Sequence, residues 1–192
     1  MISPDDFKAA FRSHPAGVAL ITADAHGVPI ALTASSVSAV SADPPLLMFS
    51  VSVHSSSAVV LRLADTVVVH LLSAENLDLA VLGATSGIDR FADTTRWRRL
   101  ETGEPVFDDA HTWLRARILH RIDAGGSTVF VGTAIESRRA AEDDAADGLV
   151  YQNRTWHRLN AESVTKPAQL VREGAPQLVR EGAPQLVREG AP

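Results

Sequence analysis

Two clusters of hydroxyl side chains stand out in this 192-residue chain: Thr33-Ala34-Ser35-Ser36, at the end of one apolar run, and Ser55-Ser56-Ser57, just ahead of another. Hydroxyls beside unpaired backbone N–H groups at a helix start can hold an anion such as a phosphate. The same residues also serve as caps and turn formers, and spacing alone does not choose between the two uses. Arg90, within Ile88-Asp89-Arg90-Phe91, carries a guanidinium whose planar fork fits a phosphate dianion. A surface ion pair is the other ordinary use of such an arginine.

Several other chemistries lack their residues. The chain has no cysteine, which removes disulfides, thiolate metal sites, iron–sulfur clusters and cysteine nucleophiles. Its seven histidines show no H-E-x-x-H or similar pair, so no metal site is expected, and His70 and His120 read as structural residues within strands. There is no G-x-S-x-G, no Walker loop and no G-x-G-x-x-G, so serine hydrolase, P-loop and Rossmann readings have no support. A formal net charge of −5 opposes nucleic-acid binding, which needs basic surface. No apolar run approaches about 18 residues, so no membrane-spanning helix is expected. The N-terminal MISPDDFKAA is acidic where a secretory signal is basic; a cytoplasmic location follows, and the lack of cysteine fits it.

The elements that must position these residues are mostly short strands. With 45% apolar and 21% charged residues, the composition is that of a globular domain. Ser3-Pro4-Asp5-Asp6 predicts a helix start, with Phe7, Ala10 and Phe11 on one face and a stop at His14 to Gly17. Runs 17–23 and 28–34 predict a hairpin across the turn Asp24 to Gly27. Ser35 to Val40 continues extended, Asp43-Pro44-Pro45 breaks the chain, and 46–53 reads as a buried strand. A short helix after Ser57, a β-branched strand at 66–72 and a helix at 75–84 follow. Residues 85–112 read as irregular. The run 113–123 alternates, with Leu114, Ala116, Ile118, His120 and Ile122 on one face, and 127–137 pairs back across a glycine turn. Residues 149–151 and 155–159 predict a last hairpin. Many short strands and few helices predict a mainly β fold, a closed antiparallel barrel rather than a doubly wound sheet.

The domain is expected to span 1–160. Beyond it, QLVREGAP recurs without change at 169–176, 177–184 and 185–192, a unit too short for a solenoid and broken by Gly and Pro; 161–192 is expected to be a disordered tail. The acids Glu142, Asp143, Asp144 and Asp147 lack cation-loop spacing and read as a solvated loop.

Taken in order, certain segments resemble the flavin reductase-like family, the small reductase components of two-component flavin monooxygenases. They are His14-Pro15-Ala16-Gly17-Val18-Ala19 with Thr22; Leu32 to Ser36 with Ser38 and Val40-Ser41; Asp43-Pro44-Pro45-Leu46; Ser55 to Ser57; Asp89-Arg90-Phe91; Gly103-Glu104-Pro105; the Gly125 turn before Thr128 to Gly132; and Leu149-Val150-Tyr151 with Arg154 to Leu159. The resemblance implies a split β-barrel that binds FMN, or FAD, as a homodimer. It implies NADH or NADPH as reductant and a separate monooxygenase as partner. Thr33, Ala34, Ser35 and Ser36 would then lie along the isoalloxazine and ribityl chain. Ser55, Ser56 and Ser57 would lie near the flavin phosphate, with Arg90 as a second contact and Phe91 beside it. Backbone N–H groups of 50–53, Ser50 among them, are candidates to stabilise negative charge on the reduced ring. Gly125-Gly126-Ser127 stands where many members carry Gly-Asp-His, which leaves Ser127 and Tyr151 on the nicotinamide side. Leu82-Gly83-Ala84 and Val37 also depart from frequent aromatics. The alternative is a flavin-binding protein on the same scaffold, a carrier or an oxygen-dependent flavoenzyme, without nicotinamide-dependent activity.

Overall fold

The computed structural model describes residues 1–110, 112–139 and 146–165. The chain opens with helix α1, Pro4–Arg12, whose N-cap Ser3 hydroxyl accepts from the Asp6 N–H at 3.1 Å. Strands β1 (Ala16–Gly17), β2 (Ala19–Ala25) and β3 (Val28–Ala34) follow. Between β2 and β3 only His26 and Gly27 intervene, both at positive φ (56° and 82°), the two-residue turn that matches strand twist. Next come β4 (Ser38–Ser41), β5 (Leu46–Ser52), α2 (Ala58–Leu63), β6 (Thr66–Leu71) and α3 (Leu77–Ala84). The rest is β7 (Trp97–Arg99), β8 (Pro105–Phe107), β9 (Thr112–Ala124), β10 (Ser127–Arg138), β11 (Gly148–Gln152) and β12 (Thr155–Leu159).

One seven-stranded sheet, ordered β3-β2-β6-β9-β10-β5-β4, carries the fold, and its pairings are antiparallel. The fold is thus mainly β with few helices, but the predicted closed barrel does not form: among the described residues, no ladder joins β3 to the far edge. The reason lies at Ser36. The β4–β5 ladder starts at Ser38 opposite Met48, so Ser36 would be next, opposite Ser50. Its hydroxyl replaces its backbone there, donating to the Ser50 carbonyl and accepting from the Ser50 N–H, each at 3.0 Å. The chain between the two edges is therefore pinned by a side chain, and the sheet stays split.

At its centre the sheet is buried on both faces, which is why β2 and β6 read as nearly continuous apolar runs. Along β2, Ala19, Ile21 and Ala23 enter one core with Leu61 of α2 and the stacked pair Phe49 and Phe130. Leu20 points the other way, against Leu79 and Ala80 of α3 and Phe107 of β8. His70 is buried on β6, its Nδ1 3.0 Å from the Leu20 carbonyl and its Nε2 accepting from the Phe107 N–H at 3.1 Å.

Two further expectations need correction. Residues 85–112 are not all irregular, because β7 and β8 pair within them. Their three-residue strands are too short to show a period, yet Pro105, Val106 and Phe107 are buried and the Thr22 hydroxyl donates to the Pro105 carbonyl at 2.5 Å. Along β9 the alternation holds through Ala116 and Ile118, but His120 and Ile122 are exposed. A register shift opposite Val131 and Gly132 adds one residue, Leu119, to β9, and from there to Ala124 the strand is exposed on both faces, so no alternation is left to read.

β11 and β12 form the predicted hairpin, in a separate three-stranded sheet with β1. A 3₁₀ turn capped by Asn160 continues past the expected boundary, at Ala161–Ser163. The octamer repeats and the acids Glu142, Asp143 and Asp144 lie outside the described residues; Asp147 meets Arg158 at 3.3 Å. Among the described residues, no helix is long and apolar enough to cross a membrane.

Candidate functional site

The end of β3, the far half of β5, the serine turn before α2 and the C-terminal end of α3 surround one cleft of about 700 Å³. It is lined by Thr33, Ala34, Ser35 and Ser36, by Ser50, and by Ser55, Ser56, Ser57 and Arg90, so the two hydroxyl clusters and the arginine come together. Its size lies within the range of small-molecule sites. No carboxylate is among its lining residues, and Arg90 is the one permanent charge on its wall. That donor-rich, acid-free set suits a neutral polar ring with an attached phosphate, and the residues present fit a flavin mononucleotide on chemical grounds.

Local packing fixes each wall. The Thr33 hydroxyl donates to the Ala80 carbonyl at 2.7 Å and ties α3 to β3. Gly83 makes that approach possible: a Cβ there would come within 2.8 Å of the Thr33 nitrogen and would collide with the Leu20 and Thr33 side chains. In the serine turn, the Ser55 hydroxyl accepts from the Ser57 N–H at 3.3 Å, while the Ser57 hydroxyl makes no cap for α2. A turn bond therefore engages one of the three serines, and none of their side chains caps α2.

Arg90 Nε donates to the Leu82 carbonyl at 3.2 Å and Nη2 to the Thr85 carbonyl at 2.6 Å. It makes no ion pair among the described residues, so it is held by carbonyls at the end of α3 with donors to spare. Phe91 does not line the cleft. Its ring packs on Trp97 (4.9 Å between centroids) and Phe107 (5.7 Å), which anchors the loop that carries Arg90. The Ser50 N–H is committed to Ser36 and the Val53 N–H to the Gly126 carbonyl at 3.0 Å, so neither points a free donor at a ring.

Ser127 pairs with Ser52 and Ala124 at the start of β10 and lines neither this cleft nor its neighbour. Tyr151 lines the neighbour, a second cleft of about 920 Å³ that shares Ser35, Ser36 and Ser50 with the first. Sequence reasoning overlooked His54, Ser86 and Gly87, which also line the first cleft, and the contribution of α1 to the second. The one available signal was Gly83, a glycine inside an apolar helical run.

His70, between the two cores, is held neutral: burial lowers its pKa to about 4, against the raising effect of its bond to Leu20. It is a structural histidine and reaches neither cleft.

The sequence model of the flavin reductase like domain matches residues 11–160. The chain belongs to that family. It is 39% identical to an NADH:FMN oxidoreductase of Rhodococcus qingshengii over 159 residues, 82% of each chain. The structure resembles a flavin reductase domain protein from Arthrobacter sp. FB24, with a TM-score of 0.78 at 28% identity over 88% of this chain and 100% of that one. It also resembles the flavin reductase component of a bacterial two-component tryptophan halogenase, with a TM-score of 0.71 at 28% identity over 82% and 98%. The family match covers the first cleft and all of the second but Phe7 and Lys8, from Phe11 in α1 to the β11–β12 hairpin.

Proposed function

We propose that this chain is an NADH-dependent flavin reductase that supplies reduced FMN, or FAD, to a separate monooxygenase. The observation that carries the reading is the convergence of both hydroxyl clusters and Arg90 on one acid-free cleft. The relation to an NADH:FMN oxidoreductase supports the cofactor pair. The relation to a two-component reductase supports delivery to a partner enzyme.

Bound flavin would supply the hydride acceptor, chemistry that no side chain here could provide. The chain's own part is to bind and orient. Ser35 offers its hydroxyl, and Thr33, Ala34 and Ser36 their backbone, along the length of the ring, while Ser55, Ser56, Ser57 and Arg90 gather donors for the phosphate. The second cleft opens beside the first through Ser35, Ser36 and Ser50, which leaves room for a nicotinamide against the ring. Tyr151 stands in that cleft, and Ser127 contributes through the ladder that sets Ser52. Reduced flavin must leave, so an open cleft of moderate affinity serves the task.

The reading includes a homodimer in the cytoplasm. The exposed apolar side chains Leu119, Ile122 and Ile135 on β9 and β10 offer material for a subunit interface. It also takes 1–160 as the domain and 161–192 as an appendage.

Anaerobic mixing with NADH or NADPH and free FMN or FAD tests the reading. Loss of the oxidised flavin absorbance is expected. Flavin binding without any bleaching would leave a carrier and end the reductase assignment.

A further inference from the structure

His70 reaches neither cleft, yet both of its ring nitrogens are engaged. The Phe107 N–H donates to Nε2 at 3.1 Å, so Nε2 is the unprotonated nitrogen, and Nδ1 carries its proton toward the Leu20 carbonyl 3.0 Å away. The bond to Phe107 matters because β8 stands outside the seven-stranded sheet, paired with β7 in a two-stranded sheet of its own. Side chains moor it to the main sheet. The Thr22 hydroxyl of β2 holds the Pro105 carbonyl at one end, and His70 of β6 holds the Phe107 N–H at the other.

From the Phe107 end, a series of rings runs toward the first cleft. The His70 and Phe107 rings meet edge to face, 6.2 Å between centroids. Phe91 lies 5.7 Å from Phe107 and 4.9 Å from Trp97. Trp97 stands directly opposite Phe107 in the β7–β8 ladder, so Phe91 rests on a cross-strand pair. Trp97 also donates its indole N–H to the Phe91 carbonyl at 3.0 Å, and Asp89 Oδ1 accepts from the Phe91 N–H at 2.9 Å. Ring, N–H and carbonyl of Phe91 are thus all held. The residue before it is Arg90, whose guanidinium is on the wall of the first cleft. The bonds to Leu82 and Thr85 fix that side chain to the end of α3, and the ring series fixes the backbone from which it springs.

We propose that His70 and Trp97 are positioning residues for flavin binding: acting through Phe107 and Phe91, they hold Arg90 so that its guanidinium meets the flavin phosphate already ordered. A group held in its bound geometry avoids the entropy of ordering on association. Neither residue lines a cleft, so an effect on binding must pass through Arg90. The proposal rests on the flavin reductase reading, in which Arg90 contacts the phosphate.

The test titrates full-length variants with FMN and with riboflavin, which lacks the phosphate, by fluorescence quenching. His70→Asn keeps a donor for the Leu20 carbonyl but is too short to accept from Phe107. It should raise the Kd for FMN roughly threefold to tenfold and that for riboflavin less than about twofold. His70→Gln, whose longer amide reaches the position of Nε2, should restore most of the FMN affinity. Trp97→Phe keeps a ring but loses the N–H to Phe91, and should show the same FMN-selective loss. In an Arg90→Ala background neither His70→Asn nor Trp97→Phe should weaken FMN further, because the contact they position is gone. Equal losses for FMN and riboflavin would reduce both residues to structural support and overturn the proposal. So would losses undiminished in the Arg90→Ala background, or wild-type FMN affinity in either variant. Should His70→Asn fail to fold, the Trp97→Phe titrations decide by the same outcomes. An Arg90→Ala protein that binds FMN as tightly as the wild type would instead remove the reading underneath, in which Arg90 meets the phosphate.

Discussion

Arg90 shows how one side chain can be held by the fold and remain available. Its Nε and Nη2 are fixed on the carbonyls of Leu82 and Thr85, which sets the guanidinium at the mouth of the first cleft without using all its donors. Arg90→Ala is expected to weaken FMN tenfold or more while leaving riboflavin, which has no phosphate, nearly unchanged in a fluorescence titration. Equal losses for the two ligands would mean that Arg90 acts by shaping α3. His70 makes the opposite case, a residue with both nitrogens committed. Its pKa of about 4 in the folded chain lies below the ordinary 6.5, so between those values the unfolded chain takes up the proton and the folded one does not. Stability is therefore fully expressed above pH 6.5 and falls as the pH drops toward 4, by up to about 3 kcal/mol. Urea unfolding at pH 7 and pH 4.5 should show this loss. The His70→Gln variant should show a flatter profile, and a wild type as stable at pH 4.5 as at pH 7 would contradict the assignment.

At the scale of elements, the contact between α3 and β3 shapes the first cleft. Alanine is favoured over glycine within a helix by about 1 kcal/mol, but overpacking a tight contact costs about 1–3 kcal/mol. At Gly83 the second effect should win, because the added methyl would meet the Thr33 backbone and not a flexible side-chain end alone. Gly83→Ala should lower the melting temperature and weaken FMN together; a more stable variant with normal FMN binding would show that the helix can retreat freely. Much of this element level was legible in the sequence, because the cap at Ser3, the His26-Gly27 turn and the β-branched run 66–71 are local signals. The hydroxyl clusters and Arg90 were legible too, through residue types that follow strand ends. The β7–β8 hairpin was hidden because its strands have no length in which to show a period. The bulge in β9 was hidden because register is set by the partner strand, and the split at Ser36 because a side chain stands in for backbone.

For the molecule as a whole, the elements that build the two clefts run from α1 to the β11–β12 turn, and the described residues lining them lie between Phe7 and Arg154. α1 buries none of its own residues, yet it is tied to the opposite end of the domain through Gln152 and Asn153. The two ends of the fold thus meet at the second cleft, and disturbing either should be felt there first. Each of the three octamers carries one Arg and one Glu, so they add no net charge to steer an anionic ligand. With 161–192 taken as an appendage to the domain, ending the chain after Thr165 should leave the melting temperature within about 2 °C and the Kd for FMN within about twofold of the full-length values, the range of a change that breaks no packed contact. Removing residues 1–12 should by contrast raise the KM for NADH while sparing FMN, because α1 walls the second cleft and not the first. Thermal melts, fluorescence titration and steady-state kinetics on the two truncations decide both points. A C-terminal truncation that lost flavin affinity would make the repeats part of the site.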